Sequence, residues 1–320
     1  MPQALSSFGH EADPAKGPSF QPAVALGLAV IGAVIIVVQA CGYLSWLFSS
    51  DFAAIRSPVA VPEDIKAIAH QAELSSIIGA SLWLCFVAWG WSRKRTLTWP
   101  LLWTIAWALT FWQEPMVNVR HHTFSWNKAL FNRGDWTTHL PFVPDSYSPM
   151  PEALILEGLV FLYLLPLFAM VIAALMKAMQ RYLHITNKVM LVLLAWAAMG
   201  LADMKFEFGG IAKGLLAYVE IGGPALNAGS VTQWPIYEGV GVGLAWALPG
   251  MIMFFRRDVA MAAHNEVFPR WWQGRYAIPA TLLAAVGLVN IIFGIYNAGY
   301  VMIMDGTVAS LLPPWLAPVR

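Results

Sequence analysis

The sequence predicts an all-α fold: a polytopic transmembrane bundle of about seven helices, with a long aromatic and polar loop between helices 3 and 4. Three observations carry this expectation. Of 320 residues, 58% are apolar and only 12% charged, and a soluble domain of that size has too little interior to hide so much apolar surface. Several apolar runs reach the roughly 20 residues needed to cross a bilayer. Basic residues also gather in alternate connectors, as they do between membrane spans.

Residues 1–20 read as a disordered polar tail, 21–305 as the helical membrane domain and 306–320 as a Pro-rich C-terminal tail. The first twenty residues lack a basic n-region, and the first apolar run is long for a cleaved signal and has no clear cleavage site, so it stays as helix 1, from about Pro22 to Phe48. Pro62, Glu63 and Asp64 start helix 2, since Pro and acids suit a first turn; Arg93, Lys94 and Arg95 close it. Helix 3 is expected over about Pro100 to Val117. Helix 4 is expected over about Pro151 to Met176, opened by Glu152 and interrupted by Pro166. Helix 5 runs to about Phe208, ending in Asp203, Lys205 and Glu207 before a Gly-rich stretch. Helix 6 runs from Pro235 to about Phe255, with Glu238 in its first turn, and helix 7 from about Ala277 to Met304. Connectors 2–3, 4–5 and 6–7 hold ten Lys and Arg against seven in the other three. That bias places the N-terminus in the cytoplasm and the C-terminus outside.

Composition also narrows the function. A net charge of +1 gives no reason to expect a nucleic-acid partner. Cys41 and Cys85 both sit in apolar runs, which supports neither a disulfide framework nor a zinc site. The seven histidines fall in loops or at helix ends, so no mid-helix haem pair, histidine box or Glu-x-x-His di-iron pattern is present. No Walker loop and no Gly-x-Ser-x-Gly occurs. No metal and no cofactor is expected.

What stands out is the stretch from Phe111 to Glu157. It leaves an apolar run through Gln113, Glu114 and Pro115 and crosses about thirty polar and aromatic residues. In an alternating bundle Glu114, Glu152, Glu157, Asp203, Glu207 and Glu238 all fall at the same membrane face as this stretch. Ionisable groups inside a membrane are costly and default to a functional hypothesis. Two plainer readings stay open. Glu152 and Glu238 serve equally as caps that compensate helix dipoles, and Asn290 and Asn297, seven apart on helix 7, serve equally as helix–helix hydrogen-bonders. Asp203 and Glu207, four apart, share one helix face.

Carboxyl groups in an aromatic, low-dielectric pocket suit acid-triggered cyclisation or dehydration. Burial favours the protonated acid, and aromatic faces stabilise a cation by roughly 0.5–2 kcal/mol each. The expected catalytic residues are therefore Glu114, Glu157, Asp203 and Glu207. Trp112, Trp126 and Trp136 are expected against the substrate, with Asn118, His121, His122, Asn127, Arg133, Glu238 and Asn290 orienting its oxygens. The partners are a lipophilic small molecule and membrane lipids.

The strings WQEPMVN (112–118), FSWNKALFNRGDW (124–136), HLPFVP (139–144), PEALILEGLVFLY (151–163) and LADMKFEF (201–208), with RRD after helix 6, resemble the actinobacterial spirocyclase family typified by the avermectin spiroketal cyclase. The resemblance runs through about 100–260. It implies an integral protein of the bacterial cell membrane, without redox cofactor, that closes a dihydroxy-ketone polyketide into a spiroketal and in some members dehydrates it. It fixes neither the substrate nor a catalytic set, so the residues above rest on the clustering of acids. A membrane terpene cyclase acting on an isoprenoid, and a non-enzymatic lipid-binding or transport protein, are the two alternatives.

Overall fold

The computed structural model describes residues 22–144, 147–256, 274–303 and 306–318. The polar tail expected at 1–20, and most of the basic connector after helix 6, lie outside the described residues. The chain is an all-α bundle with a few short strands at one end. Its helices are α1 (Pro22–Leu47), α2 (Glu63–Lys94), α3 (Trp99–Ala108), α4 (Leu156–Leu159), α5 (Leu165–Tyr182), α6 (Lys188–Ala212), α7 (Ile236–Arg256) and α8 (Ala277–Ile303).

Six spans among the described residues are long and apolar enough to cross a membrane, counting α4 and α5 as one continuous helix from Leu156 to Tyr182. This is an integral membrane architecture, with six such helices rather than seven. The exception is helix 3. Thr98 caps its start and Pro100 suits its first turn, but the α-helix stops at Ala108 and a 3₁₀ segment follows from Phe111 to Asn118. Pro115, inside that segment, has no N–H to give. Side chains replace what the break removes: Asn290 Nδ2 donates to the Leu109 carbonyl at 3.2 Å, and Thr110 Oγ1 to that of Ala106 at 2.9 Å. Broken backbone at membrane depth survives only when it is satisfied within the protein. At about 1.5 Å per α residue and 2.0 Å per 3₁₀ residue, the two pieces together still reach about 30 Å.

Helix 4 also differs from expectation. Residues 151–155 are not helical, so Glu152 precedes the helix and is no dipole cap. A π segment, Val160–Leu164, joins α4 to α5. Pro166 sits just after it, at the second position of α5; the missing Pro N–H is absorbed by the wider turn instead of a break. Elsewhere glycines let helices touch. A Cβ on Gly32 of α1 would collide with the Leu283 carbonyl oxygen of α8, and one on Gly287 with that of Leu28. Such contacts are how membrane helices gain packing where lipid offers no hydrophobic drive.

At one end of the bundle the loops form a roof. Strand β1 (Phe124–Trp126) pairs antiparallel with β2 (Leu216–Tyr218), in the register Phe124 to Tyr218 and Trp126 to Leu216. Strand β3 (Glu220–Ile221) pairs with β4 (Thr307–Val308). Lys128 Nζ donates to the carbonyls of Pro314 and Ala317 at 3.0 and 2.7 Å and so ties that segment to the roof.

Candidate active site

Four glutamates from four elements line one cavity beneath this roof. Glu114 comes from the 3₁₀ segment, Glu157 from α4, Glu207 from α6 and Glu238 from α7. Trp126, Phe124 and Tyr218 close it from β1 and β2, while Phe293, Tyr296 and Tyr300 close it from α8. The cavity volume is about 50 Å³, room for roughly three to five waters at about 10–15 Å³ each. The third crossing thus delivers Glu114 to the same level as Glu157, although it is not a continuous α-helix.

The carboxyls are not equivalent. One oxygen of Glu207 accepts from both Tyr218 Oη and Trp234 Nε1, each at 2.6 Å. Two short donors on one oxygen favour the anion. Tyr218 remains a phenol able to donate, because burial, and then the Glu207 charge, hold its pKa well above the ordinary tyrosine value. Tyr296 Oη donates to Glu238 Oε1 at 2.6 Å, leaving Oε2 without a partner. No donor among the described residues reaches the carboxyl of Glu114 or Glu157. Asp203 lies on α6 beside this group but does not line the cavity; it is fully buried, and neither oxygen has a partner. Glu152 is buried too, within electrostatic reach of Glu114, Glu157 and Asp135. Burial first, then those three acids, push its pKa well above the glutamate range. Asp135 is raised by burial, against the opposing pull of bonds from Thr137, Met150 and Tyr147.

The other expected residues divide between the chamber and the frame. Trp126 lines the chamber. Trp112 and Trp136 lie in a separate aromatic cluster with Trp46 beside α1, where Trp136 Nε1 donates to the Trp112 carbonyl at 2.7 Å. Asn290 Oδ1 accepts from Trp112 Nε1 and Gln113 Nε2, both at 2.7 Å, so its oxygen and nitrogen are both engaged within the bundle. Asn118 Oδ1 accepts from the Phe124 N–H and thereby sets up β1. Asn127 donates to the Gly214 carbonyl at 2.6 Å. His121 pairs with Glu220 at 2.9 Å, on the roof, and His122 is half-buried with Nδ1 unpartnered. Arg133 lies over the rings of Phe52 and Phe131, each 5.6 Å away. None of these eight lines the chamber.

Sequence reasoning missed the aromatic side of the chamber on α8. Phe293, Tyr296 and Tyr300 follow one helix stripe at i, i+3 and i+7, and this spacing could have found them. Tyr218 had a weaker signal, a lone aromatic in a Gly-rich stretch. Among the described residues no group of three or more His, Cys, Asp or Glu is placed to hold a metal ion.

Comparison with curated proteins and with solved structures gives no match. The sequence model of the family described as spirocyclase AveC-like matches residues 92–315, more than half of the chain and a range within which all four chamber glutamates fall. The chain belongs to the AveC-like spirocyclase family.

Proposed function

We propose that this protein is a membrane cyclase that closes a lipophilic dihydroxy-ketone into a spiroketal by carboxylic acid–base catalysis. The observation that carries the reading is the shared chamber: Glu114, Glu157, Glu207 and Glu238 meet between aromatic rings away from bulk water. One substrate hydroxyl adds to the ketone to give a hemiketal. Glu157 or Glu114, which lack competing donors, protonates the hemiketal oxygen, and water departs. The oxocarbenium carbon left behind is shielded by Trp126, Tyr296 and Phe293. As the second hydroxyl attacks, Glu207 takes its proton; the donors from Tyr218 and Trp234 hold its carboxylate aimed. Atoms balance: one water leaves, one proton is given and one is taken.

With the N-terminus in the cytoplasm of a bacterial cell, the chamber lies toward the outer leaflet. Purified protein in nanodiscs, given a long-chain dihydroxy-ketone, should yield a product lighter by one water, as a single stereoisomer, well above the uncatalysed rate. An isomer of unchanged mass from an isoprenoid would instead make it a terpene cyclase. A ligand retained unchanged would make it a binding or transport protein.

A further inference from the structure

The chamber holds a reacting carbon and its oxygens but not the body of a lipophilic substrate, and a second, larger space lies against it. A groove of about 790 Å³ runs between α2, α6 and the helix that begins at Leu156. Its wall shares Trp126, Glu157, Phe206 and Leu216 with the chamber. On α2 it is lined by Ile68, Ala72 and Ser76, on successive turns of one face. It extends from Leu156 to Phe168, about 18 Å along a helix axis.

The two ends of the groove differ in chemistry. Toward the helix middles its wall is Val160, Leu164 and Phe168. Toward the roof it carries Gln71 and Lys213, and Lys205 stands about two turns further in on α6, its long side chain able to reach that end. Lys205 and Lys213 are both exposed, and among the described residues neither has an ion-pair partner. Two unpaired cations at the polar end of an apolar groove complement an amphiphile with an anionic head.

We propose that this groove is the lateral entry and binding site for the body of the substrate, and that the substrate is a single-chain amphiphile ending in a carboxylate. Its carboxylate sits at Lys205 and Lys213, its apolar chain lies toward Phe168, and its hydroxy-ketone segment reaches the chamber past Glu157. The assignment rests on the cyclase reading but is tested without turnover.

The probes are a long-chain fatty acid bearing a diazirine and its methyl ester, photolysed with the full-length protein in nanodiscs, followed by peptide mapping. Labelling is expected in residues 68–76 and 202–213. The double variant Lys205→Gln, Lys213→Gln should lower labelling by the acid about tenfold while leaving the ester unchanged, the scale of one lost charge-assisted bond. Gly209→Trp should block both probes, since a Cβ at Gly209 meets nothing within 4 Å and the indole enters open groove. Should that variant fail to fold, Ala72→Trp blocks from the opposite wall. Labelling spread over the lipid-facing side of α1, or a lysine variant that treats acid and ester alike, overturns the proposal. Groove labelling without cyclisation of any dihydroxy-ketone sinks the cyclase reading and leaves the groove standing; cyclisation without groove labelling does the reverse.

Discussion

Glu152 shows how much one residue can change between sequence and structure. As a sequence position it reads as an ordinary acid in the first turn of a helix; in the fold it precedes that helix and is buried beside three other acids. Its folded-state pKa is raised, so the folded protein binds a proton that the unfolded chain releases near the ordinary glutamate value. Stability from this group is present below that value and falls as pH rises toward the folded one. Asp135, also raised by burial, acts in the same direction. Melting temperature in detergent should therefore decline from about pH 5 to pH 8, near and above the ordinary glutamate value, and Glu152→Gln should flatten that decline. A wild-type melting temperature that rises across this range would contradict the burial of these acids. Asn290 teaches the converse lesson. Its type and depth allowed a ligand contact or a helix–helix bond, and only the break at Leu109 and the indole of Trp112 decide between them. Partner atoms far apart in sequence are invisible to local pattern.

At the scale of elements, the apolar runs placed five of the six long helices within a few residues, because a run of about 20 apolar residues has few other fates. Apart from the later start of helix 4, the discrepancies sit at prolines. Pro115 lies in a 3₁₀ segment and Pro166 follows a π turn; a proline in sequence signals that the ladder changes, not which geometry absorbs the change. Several of the closest helix approaches fall at glycines. Gly32→Val should force α1 away from Leu283 of α8 and cost on the order of 1–3 kcal/mol, as overpacking does. The test is a lower melting temperature beside Gly27→Val, where a Cβ meets nothing within 4 Å. Equal melting of the two variants would count against this packing. The strands were not legible: two- and three-residue strands leave no period, and β1 with β2 joins segments some ninety residues apart.

For the whole molecule, the gathering of acids at one membrane face was legible because a bundle with alternating crossings admits few arrangements. The finer sorting was not. Glu114, Glu157, Glu207 and Glu238 share a chamber while Asp203 and Glu152 stand behind it, a division set by side-chain direction in three dimensions. The aromatic loop likewise supplies two different things, Trp126 to the chamber and Trp112 with Trp136 to the frame around α1. Family membership over residues 92–315 points to a cyclase; in the mechanism proposed above, the chamber supplies its acids and bases. The most direct measurement is the turnover of Glu114→Gln and Glu157→Gln on a dihydroxy-ketone, beside ligand binding and melting of the same samples. Loss of a positioned general acid should lower kcat by about 10²–10⁴-fold in at least one variant, with folding and binding retained. Full activity in both would show that these carboxyls do not deliver the proton.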